Sequence, residues 1–331
     1  MEQIKETIEN SKKIVIKIGS NVLSDENGVV DKKVLHNIAE QVNDLISMGK
    51  QVILVSSGAG ICGVGAINKW SRRGDINYKQ ALCAIGQVEL MMAYKEYFAD
   101  YGIHVAQILL TRDDFSDPHR TLNIRNAMFT LIDEGVIPVI NENDSVSVDE
   151  IKIGDNDTLA ALTASLWNAD LMIILSDIDG VYDKDPKTES DAKLIDLVEN
   201  ADRLIETISI GGTSSFGTGG IASKIEAASR VNKFGIPMLL LNGEKENIIR
   251  NSLDGKSRGK MCIRDRDTLT DIHSRIEDIL YNAKLAVGKD ISPAKMTKIN
   301  NLVMELEKST INLGAVINEE DRDKNPAEGL A

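Results

Sequence analysis

The chain has 331 residues, enough for one large α/β domain or for such a domain with a smaller piece attached. A formal net charge of −13 argues against a nucleic-acid partner, which would need a basic stripe, and 42% hydrophobic residues fit a soluble globular protein. Cys62, Cys83 and Cys262 cannot all pair and lack metal-ligand spacing, and His36, His104, His119 and His273 do not cluster, so no structural zinc site is expected.

Residues 1–12 are polar and read as a short helix or a frayed lead, without the apolar core of a leader peptide. No apolar run approaches the roughly 18 residues of a bilayer span, so a cytoplasmic protein without a membrane partner is expected. Lys13–Ile18 is a β-branched run and reads as a central strand that stops at Gly19-Ser20-Asn21. Asp31–Met48 repeats apolar residues at helical spacing, and Gly49 ends it. Val52–Ser56 is a second strand running into Ser57-Gly58-Ala59-Gly60, followed by a helix-rich stretch over Tyr78–Asp100. Further strands are expected at His104–Leu109, Ile137–Asn141, Leu171–Ser176 and Met238–Leu241, with helices between them at Thr121–Glu134, Asp157–Trp167 and Ile221–Phe234. Ser147–Ile153 alternates polar and apolar residues and reads as part of a hairpin, and Asp183–Asp191 as a polar loop. The alternation predicts an α/β fold, a mainly parallel sheet sandwiched by helices.

In open sheets of this kind ligands sit beyond the carboxyl ends of the strands. Those ends carry Gly19-Ser20-Asn21, Ser56-Ser57-Gly58, Glu142-Asn143-Asp144 and Ser176-Asp177. Ser214–Ala228 adds a bare loop (Gly217, Gly219, Gly220) feeding a helix start. Unpaired N–H groups and the positive helix end suit an anion there, and Lys224 supplies a mobile charge. Lys17 interrupts the apolar first strand close to its end, where it can reach a phosphoryl group. Gly154-Asp155-Asn156-Asp157-Thr158 opens an alanine-rich helix. Asp155 or Asp157 can serve as its N-cap, can fix the two lysines, or can hold Mg²⁺ through oxygen contacts. Phosphoryl transfer needs mainly positioning and charge neutralisation, which two lysines, two glycine-rich turns and a carboxylate supply. A carboxylate acceptor, with a pKa of about 4.3 for glutamate, is already ionised at neutral pH and needs no general base.

Lys17-Ile-Gly-Ser20, Val55-Ser-Ser-Gly58, Asn141-Glu-Asn-Asp-Ser-Val146, Lys152-Ile-Gly-Asp-Asn-Asp157, Ser176-Asp177 and Gly217-Thr-Gly-Gly-Ile-Ala-Ser-Lys224 resemble the glutamate 5-kinases (gamma-glutamyl kinases) of the amino-acid kinase family, roughly over residues 12 to 255. The resemblance implies ATP-dependent phosphorylation of the γ-carboxylate of L-glutamate, the first step of proline synthesis. It implies Lys17 and Lys224 on the ATP phosphates, with Asp157 holding both as the third catalytic residue. It implies Ser57, Asp144 and Asn156 on glutamate. The nucleotide falls to Lys17, Gly19, Ser176, Asp177 and the run Thr218, Gly219, Gly220, Ile221, Ala222, Ser223 and Lys224. Mg²⁺ as cofactor, a homo-oligomer (dimer or tetramer) and proline as feedback inhibitor come with the resemblance; which residue touches the metal does not.

The match stops near Gly255, and residues 1–258 are taken as the kinase domain. Met261–Arg266 has the look of translated sequencing-adapter read-through, and residues 259–331 read as a partly helical, partly disordered tail unlike the PUA domain of many relatives. Two rivals belong to other classes. Gly58-Ala-Gly-Ile-Cys-Gly63 fits the G-x-G-x-x-G of a nicotinamide-dependent oxidoreductase, but the candidate acidic partner, Asp75, lies in a loop-like stretch. A non-catalytic amino-acid sensor on the same fold is opposed by the joint presence of Lys17, Asp157 and Lys224. Within the family the rival is a kinase for another carboxylate, such as aspartate.

Overall fold

The structure, a computed structural model, describes residues 2–24, 29–68, 75–147, 156–182, 193–195, 197–198, 201, 204, 220–255 and 260–262. The expected hairpin beyond Ser147, the loop Asp183–Asp191, Thr218 and Gly219 lie outside the described residues. The chain divides into units Met1–Arg264 and Asp265–Ala331, and all described residues belong to the first.

Eight strands form one sheet: β1 (Lys13–Ile18), β2 (Gln51–Ser56), β3 (His104–Leu110), β4 (Val136–Glu142), β5 (Leu171–Ser176), β6 (Leu197–Val198), β7 (Met238–Asn242) and β8 (Lys260–Cys262). Their order is β3-β4-β2-β1-β5-β7-β8-β6. The first six in that order run parallel; β8 lies antiparallel to β7 and parallel to β6. The six parallel strands are the six expected from the sequence. β6 and β8, of two and three residues, are too short to leave a periodic signal.

β1 is the pivot. It pairs with β2 on one side, Lys17 opposite Val55, and with β5 on the other, Lys17 opposite Ile174. The chain winds outward in both directions from it, which makes its carboxyl end a topological switch point. The pleat sends Ile14, Ile16 and Ile18 into the main hydrophobic core with Leu54, Val139, Ile173 and Leu239, while Val15 and Lys17 face the other side. The main core is closed by α1 (Glu2–Asn10), α2 (Ser20–Leu23), α3 (Lys32–Ser47) and α5 (Ile76–Ala99). Alternate strand residues place α6 (Pro118–Asp133), α7 (Asn156–Trp167) and α8 (Gly220–Asn232) against the opposite face, where α7 packs on β1 and on α8.

Local chemistry sets the helix starts. Asp31 caps α3 by accepting from the Lys33 and Val34 N–H groups; Asp117 caps α6, with Pro118 in the first turn. α1 settles the open reading of residues 1–12 in favour of helix. Its last carbonyls receive the buried Lys50 ammonium, which donates to Ile8 O, Glu9 O and Ser11 O at 2.7, 2.9 and 2.7 Å, and burial holds the Lys50 pKa below its ordinary value. Asp170 takes the Lys12 and Lys13 N–H groups, both at 2.8 Å, and pins the entry into β1. α9 (Ile248–Leu253) was not anticipated; it rests on α1 and β7.

The glycine-rich stretch after β2 departs from expectation. It is no loop beyond Gly58, whose φ of +101° makes the turn: Ala59–Ile67 is a helix, α4. α4 lies so close on α5 that a Cβ at Gly63 would sit 1.9 Å from Leu82 O, and one at Gly86 1.8 Å from Ala59 O. Helix contact therefore accounts for a glycine of the G-x-G-x-x-G pattern. Asp75 caps α5 through Tyr78 N rather than ending a strand. Both features remove the support for a dinucleotide site.

Candidate active site

The candidate catalytic residues Lys17, Asp157 and Lys224 gather on the α7–α8 face of the sheet, at the switch point. Asp157 enters from the first turn of α7, where the helix's positive end favours a carboxylate. Lys17 rises from β1 and puts Nζ 2.6 Å from Asp157 Oδ1; Lys224, one turn into α8, puts Nζ 3.0 Å from Asp157 Oδ2. Asp157 is fully buried and the two lysines are 5% and 8% exposed, so one carboxylate stands between two cations nearly sealed from solvent. Burial pushes the Asp157 pKa up, but the charges of Lys17 and Lys224, with their hydrogen bonds, outweigh it and leave the carboxyl below its ordinary value. Ser223 Oγ also donates to Asp157 Oδ2, at 3.3 Å. Among the described residues the cluster brings two cationic side chains to one carboxylate.

On the β5 side, Gly19 N donates to Leu175 O at 3.0 Å, and a Cβ on Gly19 would stand 3.2 Å from that oxygen, so the backbone runs close here. Asp177 Oδ2 accepts from Asn21 Nδ2 at 2.9 Å, and Ser176 Oγ donates to Asp177 Oδ1 at 3.0 Å. Burial raises the Asp177 pKa, and those hydrogen bonds, aided by the Lys224 charge, bring it net below the ordinary range. Gly220, Ile221, Ala222 and Ser223 form the opening of α8.

On the β2–β4 side, Asn156 leads α7 and donates from Nδ2 to Ser56 O at 2.7 Å, Asn141 Oδ1 at 2.8 Å and Ser57 Oγ at 3.1 Å. Asp144 stands in the turn after β4, against the Cys83 thiol of α5. Burial first, then the Asp144 charge and hydrogen bond, push that thiol up to about 12. Thus Lys17, Asp157, Lys224 and Ser223 are brought together directly, as are Asn156 and Ser57, while Gly19, Ser176 and Asp177 share the neighbouring strand ends.

Gln87 and Tyr94 escaped the sequence reading, and Asn141 stood in its motif without an assigned role. Asn141, next to last in β4, donates to Gln87 of α5; Tyr94, two turns beyond Gln87, meets Ser56 Oγ at 2.9 Å. Their signal was present: Gln87 and Tyr94 interrupt the buried stripe Leu82, Leu90 and Phe98 of α5 at helical spacing. Among the described residues no group of three or more His, Cys, Asp and Glu side chains is placed to hold a metal ion. Nor is any described helix long and apolar enough to cross a membrane.

Residues 12–242 match the model of the amino acid kinase family. The chain is 62% identical over 255 residues to glutamate 5-kinase of Alkaliphilus metalliredigens, covering 77% of this chain and 97% of that protein. It is 55% identical over 262 residues to glutamate 5-kinase of Alkaliphilus oremlandii, covering 79% of this chain and 100% of that one. Among solved structures, the UMP kinase from Ureaplasma parvum superposes with a TM-score of 0.54 at 19% identity, over 77% of this chain and 99% of that one. The carbamate kinase from Giardia lamblia bound to AMP-PNP gives 0.55 at 15% identity, over 78% and 100%. These two establish likeness of fold, while the sequence relatives place the chain within the family: it belongs to the amino acid kinases, among the glutamate 5-kinases.

Proposed function

We propose that the chain transfers the γ-phosphoryl group of ATP to the γ-carboxylate of L-glutamate, giving L-glutamyl 5-phosphate, the first step of proline synthesis. The observation that carries the transfer is the buried Lys17–Asp157–Lys224 cluster at the switch point of the sheet. The acceptor is suggested by the two Alkaliphilus relatives.

In this reading the two ammonium groups draw onto the triphosphate and neutralise charge that grows on the transferred group in the transition state. Asp157 keeps them from drifting before the nucleotide arrives. The acceptor carboxylate attacks as the anion, so no side chain has to remove a proton from it. Ser57, Asn156 and Asp144 hold glutamate. Asp144 offers the negative partner for its α-ammonium group, and Ser57 and Asn156 supply neutral polar atoms. Gly19, Ser176, Asp177 and the run from Thr218 to Lys224 hold the nucleotide. Mg²⁺ bound on the phosphates would add Lewis-acid neutralisation of the same oxygens. A divalent ion of this kind takes one or two protein carboxylates beside the phosphates, and Asp177, held by Asn21 and Ser176 at the end of β5, is a candidate donor. The same reading carries a cytoplasmic homo-oligomer, dimer or tetramer, inhibited by proline.

The test is acyl-phosphate trapping. Glutamate, ATP, Mg²⁺ and hydroxylamine should yield glutamyl hydroxamate, and Asp144→Ala should raise the glutamate KM about tenfold or more, the loss expected when a charged partner is removed. Hydroxamate from aspartate alone, or an Asp144 effect confined to the ATP KM, overturns the acceptor assignment.

A further inference from the structure

We infer that Gln87, by accepting from Asn141, holds that side chain in place under Asn156, and is a positioning residue for the amino-acid acceptor; the inference rests on glutamate being that acceptor. The argument is one of hydrogen-bond polarity. Asn156 Nδ2 lies 2.7 Å from Ser56 O, a backbone carbonyl, which can only accept. Asn141 Oδ1 lies 2.9 Å from the Glu142 N–H, which can only donate. These two backbone groups fix both amides: Asn156 must point its NH₂ into the protein, and Asn141 must point its oxygen at Glu142 N and at Asn156 Nδ2. Asn141 Nδ2 is then left facing α5, where Gln87 Oε1 accepts from it at 2.8 Å.

Two consequences follow. The Asn156 oxygen has no partner among the described residues, and it is the end of the amide left to receive a cationic group, as the α-ammonium of an amino acid would be. At the far end, Gln87 is 8% exposed, yet its Nε2 is buried with no partner among the described residues. An unsatisfied buried N–H destabilises a fold. An apolar side chain on α5 would avoid that loss, so the residue is explained by what its oxygen does for Asn141. Without that acceptor, the Asn141 NH₂ loses its partner, and the amide that receives Asn156 Nδ2 is held less firmly.

Two variants and the wild type decide the point. Gln87→Met keeps the volume and removes the accepting oxygen; Gln87→Glu keeps an oxygen that can accept from Asn141 and replaces the unpartnered NH₂ by the second carboxyl oxygen. Gln87→Met should raise the glutamate KM about tenfold and leave the ATP KM within about twofold, the scale of one lost buried hydrogen bond. Its melting temperature should stay within about 3 °C of wild type, because one buried unsatisfied N–H replaces another. Gln87→Glu should keep the glutamate KM within about threefold of wild type. The inference is overturned if Gln87→Met leaves the glutamate KM unchanged, if both KM values rise together with a fall in melting temperature, or if Gln87→Glu is as impaired as Gln87→Met. Wild-type protein that turns over no glutamate overturns the acceptor assignment and this inference together; normal wild-type turnover with any of the other failures overturns this inference alone.

Discussion

Replacing Asp157 by asparagine isolates the central electrostatic claim, because shape and hydrogen-bonding reach are nearly kept while the charge is lost. Each Lys–Asp157 pair lies at contact distance, 2.6 and 3.0 Å. Taking about 4 Å between charge centres, which lie farther apart than the contacting atoms, and an effective dielectric of about 20, two such attractions amount to about 8 kcal/mol. The asparagine recovers the desolvation penalty of one buried carboxylate, about 4 kcal/mol, so the expected net loss is about 4 kcal/mol, within the range seen when a buried ion pair is broken from one side. Against a typical total stability of about 5–15 kcal/mol the variant should still fold, but melt about 10 °C lower. ATP should then stabilise the variant more than the wild type, since the triphosphate restores the missing negative charge and no longer faces a carboxylate between the lysines. Turnover should fall by about 10²–10³, because the lysines are no longer held where charge develops. Thermal unfolding with and without ATP, with hydroxamate kinetics on the same samples, reads all three quantities. A variant that melts within about 2 °C of wild type, or gains no more from ATP than wild type does, refutes the picture of two buried cations sharing one counterion. The pH dependence has a definite sign. The folded-state pKa of Asp157 is depressed, so its contribution is complete above the unfolded value of about 3.9 and is lost as pH falls through the folded one.

Gly86→Ala should lower the melting temperature by about 5 °C or more, because its Cβ would meet Ala59 O at 1.8 Å and force α4 off α5, whereas Gly60→Ala, whose Cβ meets only Cys83 Sγ at 3.3 Å, should cost far less; equal melting of the two variants contradicts the packing account. In a Cys262→Ser background, iodoacetamide at pH 8 should modify native protein at least about 10²-fold more slowly than unfolded protein, since thiolates react and burial pushes Cys62 up to about 11 and Cys83 up to about 12. Both values lie above the unfolded one, so this contribution to stability is full below about pH 8.5 and is lost as pH rises through the folded values; native labelling as fast as unfolded labelling contradicts it.

The fold was legible wherever burial on both faces of the sheet forced an uninterrupted apolar run. β1, β2, β5 and β7 are written almost wholly in Ile, Val, Leu and Met, and their ends fall within a residue or so of the expected positions. α4 was missed for the opposite reason. Its glycines lower intrinsic helix propensity, and the compensating contact with α5 is tertiary, so no window of the sequence contains it. β6 and β8 have the same character: two or three residues that, among the described residues, pair with each other and, for β8, with β7. No local pattern specifies such pairing.

The candidate site divides along the same line. Lys17 stood out because an ammonium in a β-branched strand is locally anomalous, and the pleat then dictates that it faces α7 and α8 rather than the main core. Asp157 and Lys224 stood out only through the motifs around them, since an Asp in a first helical turn and a Lys one turn into a helix are each ordinary. What joins the three residues is the sheet order, which brings the end of β1 under two helices that begin about 140 and 200 residues later. Gln87, Asn141 and Tyr94 mark the limit. Gln87 and Tyr94 break an apolar stripe without saying why, and only the approach of α5 to the ends of β2 and β4 turns them and Asn141 into a polar floor. The residues proposed to touch substrate belong to short, dense motifs because they share a loop or a helix start. Those that hold them in place come from whichever element lies behind, and that neighbourhood exists only in the folded chain.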